Sequence, residues 1–505
     1  MTAYPKLKLV DEFDVAREHF DGVVADLRSE DALAMQHGEL EERVQQGVRE
    51  LGRLLMQAQL DLRAKQEVPP AMVLGADGVP RTHRRSGTER DLATIFGEVD
   101  VTRVAFQARG ATSLFPLDGE LNLPHEKYSH GLRKLSALEA VRGSFDDAVA
   151  AVERTTGVHV PKRQAEELVA RAAVDFEGFY EDNARAPPVE VTPHHLLCLS
   201  LDGKGIVMRP EHLTEATAKK AATSTHKLKR RLSKGEKLGR KRMATVAAVW
   251  DAEPLRRQPE DIMRELRPVR LVKKRRPKTL NKRVWTSIER HSTVVTDEVF
   301  EEARRRDPDG RRLWVVLVDG DAHQIERVRA AARTHNEHVI IIVDFIHVLE
   351  YLWKAAWCFF DEGDADAEQW VVERARSILE GKSGDVAAGI RRSATLRRLG
   401  DNKRKGADDC ADYLINKREF LRYPTYLDMG APIATGVIEG ACRHLIGDRM
   451  DITGARWSLP GAEAVLKLRS LRSSGDLNDY WRFHLTREHE RQHLSRYAEP
   501  LREAG

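Results

Sequence analysis

The chain has 505 residues, 41% hydrophobic and 32% charged, which is enough apolar material for about three domains of roughly 150 residues and too much for wholesale disorder. The net charge is only +4, with 83 Lys and Arg against 79 Asp and Glu, so affinity for a polyanion has to come from local clusters rather than from the total. Cys198, Cys358, Cys410 and Cys442 have no short paired spacing, so neither a zinc site nor a disulfide framework is suggested. With the early acids Asp11, Glu12 and Asp14, and no apolar run near the roughly 18 residues of a membrane span, this points to a cytoplasmic protein.

Between Asp11 and about Glu67, Val44, Val48, Leu51 and Leu55 recur at helical spacing, with Leu54 and Met56 widening the stripe. Val68-Pro69-Pro70 ends that pattern. A polar, basic stretch from Arg81 to Arg90 leads into Ala93 to Phe106, whose alternation predicts a short hairpin around Gly97. Residues 1–125 are thus expected to be a helical region with a small β-element. In residues 126–190, a helix from about Phe145 to Arg154, a turn containing Gly157 and a helix from about Lys162 to Ala173 fit a helix-turn-helix, although an ordinary αα-hairpin is the commoner arrangement of this kind. In a helix-turn-helix, Lys162, Arg163 and Gln164 would open the helix that enters the major groove. Pro187, Pro188 and Pro193 mark a linker.

Residues 191–349 change character. Leu196 to Leu201 is an apolar run ending at Asp202-Gly203, Leu313 to Val318 ends at Asp319-Gly320, and Val339 to Val343 ends at Asp344, three residues before His347. Continuous apolar runs separated by helix-length polar segments predict buried parallel strands. Carboxylates at the carboxyl ends of such strands lie in the crevice where open α/β sheets bind ligands. Gly205 to Met208 and Met243 to Trp250 predict two further strands.

Two basic runs flank Met243 to Trp250. Lys219 to Arg242 holds eleven Lys or Arg against Glu236, and Arg264 to Arg283 holds ten against Glu265. Such runs are commonly solvated faces, but the interspersed Ser, Thr and Gly of the first also suit an arm that tracks phosphates. Lys229, Arg230, Arg231, Arg240, Lys241, Arg242, Lys273, Lys274, Arg275 and Arg276 are the candidate contacts to nucleic acid.

Residues 350–427 read as helical, with Tyr351, Trp353, Trp357, Phe359 and Phe360 forming a stripe better suited to a core than to base stacking. In residues 428–475, Thr435 to His444 predicts a helix with Glu439 near its first turn, and residues 476–505 predict a helical tail. Neither GxxxxGK[ST] nor GxGxxG occurs, which disfavours nucleotide hydrolysis. Asp202, Asp319 and Glu439 are the candidate ligands for a hard divalent cation, which takes carboxylate oxygens, water and phosphate oxygens. Asp321 competes with Asp319, which is preferred because it directly ends its strand.

In combination these motifs are specific. Asp202 in Ser-Leu-Asp-Gly-Lys-Gly, Asp319 in Leu-Val-Asp-Gly-Asp, Asp344-Phe-Ile-His347, Glu439 in Thr-Gly-Val-Ile-Glu-Gly and the stretch Asp448 to Ser458 resemble the DDE transposases of bacterial insertion sequences. The similarity is to the group named after IS-Kra, allied to the Mutator-like superfamily, and covers roughly residues 195–485. It is weaker through the Phe96-Gly97-Glu98-Val99 region and the helix pair. The resemblance implies an RNase H-like α/β catalytic core, a mixed sheet flanked by helices, formed by residues 191–349 and 428–475. An all-helical insertion, residues 350–427, would precede the last glutamate. It further implies that Asp202, Asp319 and Glu439 hold Mg2+ or Mn2+, two ions per site. The implied activity is metal-dependent cleavage at terminal inverted repeats, followed by strand transfer into target DNA.

A homodimer or larger assembly on DNA, in a bacterial nucleoid, would follow. Asp344 and His347 match the D/C-x-x-H element of the Mutator-like relatives and would contact metal, orient the scissile phosphate or tie the strand end to a helix. Arg449, Arg456 and Trp457 would support DNA or the Glu439 helix. The alternatives are an RNase H-like nuclease without strand transfer and a DNA-binding protein whose carboxylates are structural.

Overall fold

The structure is a computed structural model that describes residues 11–183, 185, 189–223, 239–265, 277–452 and 454–498. The chain divides into two compact units, Met1–Arg185 together with Leu477–Gly505, and Ala186–Asp476. Residues from Leu477 onward therefore group with the N-terminal residues instead of forming a separate tail. Among the described residues no helix is long and apolar enough to cross a membrane.

In the first unit the expected helical stretch is three helices, Asp14–Leu27, Glu30–Ala34 and His37–Gln66. Ser29 starts the second by accepting a hydrogen bond from the Ala32 amide, and Glu39 starts the third by reaching back to the Gln36 amide. Two short strands, β1 (Val73–Leu74) and β2 (Pro80–Arg81), pair with each other. The hairpin around Gly97 is longer than its apolar alternation suggests: β3 (His83–Thr94) and β4 (Gly97–Ala108) pair along nearly their whole length, with β5 (Ala111–Leu114) alongside. Most of the basic stretch thus lies in a strand whose first half is exposed, with Arg84 and Arg85 in water, whereas Arg81, in β2, is buried and paired with Asp77, and Arg90 donates to the Pro124 and Glu126 carbonyls.

Three helices, His130–Ala140, Phe145–Thr156 and Lys162–Ala172, enclose a core of Leu132, Val152, Val158, Val160 and Leu168. Ser144 and Asp147 form a capping box at the start of the second, and Gly157, at φ +75°, ends it in the left-handed conformation.

The second unit is a mixed five-stranded sheet: β6 (Leu196–Val207), β7 (Lys241–Glu253), β8 (Lys278–Ser287), β9 (Trp314–Val318) and β10 (Val339–Val343). The order is β10-β9-β6-β7-β8, with β10, β9 and β6 parallel, β7 antiparallel to β6, and β8 antiparallel to β7. All five residues of β9 are buried, as expected of a central strand covered on both faces. Helices Ser292–Arg306, Ala322–His335 and Leu459–Ser474 also belong to this unit.

Three expectations are corrected here. Leu196 to Leu201 and Gly205 to Met208 are not two strands: β6 runs through Asp202 and Gly203, which pair with Val246 and Thr245, because the long β7 supplies hydrogen-bond partners along its whole length. Lys241 and Arg242 open β7 rather than ending a mobile arm, and Lys219 and Lys220 lie in the helix Glu215–Thr223. The second basic run ends in β8, where Arg283 is buried, ion-paired with Glu302 and stacked over the Trp285 ring at 4.5 Å. Lys229, Arg230 and Arg231, like Lys273, Lys274, Arg275 and Arg276, lie outside the described residues.

The helical region comprises Phe345–Ala356, Ala365–Leu379, Ser383–Leu396, Asp401–Asn416 and Tyr423–Asp428. It begins ahead of residue 350 because Asp344 caps the first helix, its Oδ1 accepting from the Ile346 amide at 2.7 Å. Tyr351 stacks on Tyr413 at 4.0 Å and Phe359 contacts Trp370 at 5.5 Å, yet Tyr351, Trp353, Phe359 and Phe360 are only half-buried, so the stripe lies at the edge of the core rather than inside it. Trp357, stacked on Trp353, is 46% exposed.

Candidate active site

Strand register sets three aspartates level with one another, whereas among the described residues the ligand atoms gathered around Glu439 are those of Asp344 and His347, not of Asp202 and Asp319. On β6 and β9, Leu197 pairs with Trp314 and Ser200 with Leu317, and the same parallel offset sets Asp202 level with Asp319. On β9 and β10, Val318 pairs with Val343, which sets Asp319 level with Asp344. Three neighbouring parallel strands, spaced about 4.8 Å apart, thus bring an aspartate to one level. Asp202 and Asp319 are half-buried, and Asp344 is fully buried.

Backbone and side-chain bonds fix this row. Asp319 Oδ1 accepts from the Asp321 amide at 2.8 Å, and Asp321 in turn caps the helix Ala322–His335 through the Gln324 amide. Asp321, the competitor for the second position, therefore has a capping role. The buried Gln324 side chain joins the two strands: its Nε2 donates to the Leu201 carbonyl and its Oε1 accepts from the Asp319 amide. Tyr413, from the helical region, donates its hydroxyl to the Asp319 carbonyl at 2.9 Å.

Glu439 sits in the helix Gly436–Ala441. Asp344, His347 and Glu439 each offer a ligand atom, and these atoms lie within 4.8 Å of one another. One turn past Glu439, the Cys442 thiol donates to Asp202 Oδ2 at 3.1 Å, so the glutamate helix is tied to β6. Burial and the neighbouring Asp202 carboxylate hold that thiol in its neutral form. Residues Cys442–Gly447 wind as a π-helix, a widened turn common near functional sites. Arg469 satisfies its displaced carbonyls, donating to Leu445 at 2.9 Å and also to His444.

Asp344 differs from the other two aspartates. Besides capping its helix through Oδ1, it accepts at Oδ2 from both the Thr435 amide, at 3.2 Å, and the Thr435 hydroxyl. Burial raises its pKa above the ordinary carboxylate value, and the bond from Thr435 works against that rise. His347 is half-buried and lies 3.4 Å from Glu350. Of the roles open to Asp344, tying the strand end to helix and loop is the one its hydrogen bonds perform.

The remaining candidates are not members of this cluster. Lys162 and Arg163 are exposed in the first unit and pair with Asp146 and Glu167, while Gln164 accepts from the Tyr128 hydroxyl. Lys241 lies 3.5 Å from Asp451, Arg242 donates to the Ile288 carbonyl at 2.8 Å, and Arg240 is exposed. Arg449 is buried over the Trp457 ring at 4.7 Å, and the Trp457 backbone bonds to Val207 and Arg209 at the end of β6. Both are therefore packing residues of the core, whereas Arg456 is exposed.

A second acid–histidine group, Asp175, His484 and Glu488 in the first unit, is engaged by the guanidinium groups of Arg133 and Arg491, which leaves it little to offer a cation. The carboxylates of the row and of Glu439 are anionic oxygen donors, open to solvent at Glu439, which is the donor type that suits a hard divalent cation such as Mg2+ or Mn2+. Thr435, Cys442, Gln324 and Tyr413 are site residues that the sequence did not single out. Arg327 lines a cleft with Asp202, Gly203, Thr245 and Gln324 and brings a cation beside the row. Comparison of the chain with protein-family models and with curated proteins finds no match.

Proposed function

We propose that the protein is a DNA transposase with an RNase H-like core, cleaving DNA at the ends of its element and joining the freed ends to target DNA. The observation that carries this reading is the level row of Asp202, Asp319 and Asp344 on three adjacent parallel strands, with the Glu439 helix bonded to β6 beside it. Asp202, Asp319 and Glu439 would hold the metal. When bound, divalent ions of this class activate an attacking oxygen and stabilise the leaving one in an in-line displacement on phosphate.

The chain's own residues supply the frame for that chemistry. Gln324 and Tyr413 hold the backbone of Asp319, and Cys442 fixes one oxygen of Asp202. Arg327 provides a guanidinium for a phosphate, and the basic runs provide charge for the DNA backbone. No covalent enzyme intermediate is needed, since water and then a DNA 3′-hydroxyl act as nucleophiles.

The test uses purified wild type and Glu439→Gln with DNA carrying the element's own ends and Mg2+ or Mn2+. Metal-dependent nicking at the ends by wild type alone is expected, with joined products once target DNA is added. Nicking without joining would assign a nuclease, and tight binding without nicking in either protein would assign a DNA-binding protein.

A further inference from the structure

Thr435 stands at an N-cap position, where a threonine ordinarily turns its hydroxyl to its own helix, yet it makes no such cap. Its hydroxyl instead faces two carboxylates: it bonds Asp344 Oδ2 and lies 3.2 Å from Glu439 Oε1. The residue is 3% exposed and its amide also donates to Asp344. Asp344 is in turn immobilised by the Ile346 amide, and the Phe345 amide donates to the Ile433 carbonyl at 2.9 Å. The end of β10 and the loop ahead of the glutamate helix are thereby laced together, 91 residues apart in the chain.

We propose that Asp344 and Thr435 are positioning residues for Glu439: Asp344 anchors the Thr435 loop from the end of β10, and the Thr435 hydroxyl orients the Glu439 carboxylate toward the row formed by Asp202 and Asp319. This rests on the reading of Glu439 as a metal ligand. The physical case is the number of acceptor sites. The Ile346 and Thr435 amides already occupy the buried Asp344 carboxylate, and the one hydroxyl proton of Thr435 is shared, as a three-centre bond, between Asp344 Oδ2 and Glu439 Oε1, so Asp344 has little capacity left for a cation while exposed Glu439 meets only that shared proton among these groups. A ligand carboxylate on an exposed helix loses rotamer freedom when it binds metal, and a preset hydrogen bond reduces that loss.

The experiment measures Mn2+ affinity of the full chain by titration calorimetry for wild type, Thr435→Val, Thr435→Ser and Glu439→Gln, alongside thermal unfolding in EDTA. Valine preserves shape and the backbone bond to Asp344 but removes the hydroxyl. Expected is a 10–100-fold weaker Mn2+ affinity in Thr435→Val, the usual cost of losing a group that orients a ligand, with Thr435→Ser close to wild type and Glu439→Gln weakest. Should Thr435→Val not fold, Thr435→Ala carries the same comparison. Wild-type affinity in the hydroxyl-free variant, with Glu439→Gln still impaired, overturns the positioning role and leaves the metal reading intact. Equal affinity in Glu439→Gln and wild type, or no Mn2+ binding by wild type, overturns both.

Discussion

Arg312 sits just before β9 and clasps the far end of the sheet. Its Nη2 donates to Asp251 Oδ1 on β7 at 2.6 Å and to the Leu196 carbonyl at 3.1 Å, and its Nε donates to the His195 carbonyl. The two side chains are 4% and 3% exposed. Replacing Arg312 by Met keeps the apolar stem but leaves Asp251 charged and buried. Removing one partner of a buried pair costs about 3–5 kcal/mol. Asp251 retains a 2.7 Å bond from Asn281 and a 3.9 Å contact with Arg306, which places the expected loss near the lower limit, about 3 kcal/mol. Urea titration followed by tryptophan fluorescence reads this directly, because Trp250 adjoins Asp251 and Trp314 follows Arg312 closely. Adding Asp251→Asn to the Arg312→Met background should cost less than it does alone, with a coupling energy of about 1–3 kcal/mol. A loss below about 1 kcal/mol for Arg312→Met, or additive losses in the double variant, would refute the clasp.

Three further outcomes are expected. Gly320, next to Asp319, has φ +94°, and an added Cβ would meet the Tyr413 hydroxyl at 2.5 Å, so Gly320→Ala should cost about 1–3 kcal/mol and depress DNA cleavage; an unchanged melting temperature contradicts this. Burial holds His130 and His493 near a pKa of about 4, against an ordinary value of 6.5. The unfolded chain therefore takes up these protons first, and the first unit should lose stability as pH falls from about 6.5 to about 4, by about 1.4 kcal/mol per pH unit for each histidine. Urea midpoints that stay level over that window, or that fall equally in His493→Gln, would contradict the assignment. Finally, if the two basic runs contact phosphates, DNA affinity should drop by orders of magnitude between about 50 and 200 mM salt; a flat dependence would remove them from the interface.

What could be read from the sequence follows from how each element is stabilised. β9 and β10 are covered by apolar packing, so their runs of Val and Ile, and the aspartates that follow, stand out. β8 is hidden because part of its buried surface is polar: Arg283 is neutralised by Glu302, and Ser287 is held by Glu463 from the helix Leu459–Ser474. Asp202 looked like a strand end because Asp-Gly is a common turn pair, whereas the antiparallel β7 carries β6 past it. Thr435 and Cys442 are illegible for a different reason. Their partners Asp344 and Asp202 are 91 and 240 residues away, and no local pattern encodes a hydrogen bond across that distance.

The most direct measurement is the rate of metal-dependent cleavage of element-end DNA by Asp202→Asn, Asp319→Asn, Glu439→Gln and the triple variant. Groups that act as one unit are grossly non-additive, so each single variant should lose nearly as much activity as the triple. Any single variant that retains most of the wild-type rate, or losses that simply multiply to the triple, would contradict a shared carboxylate site.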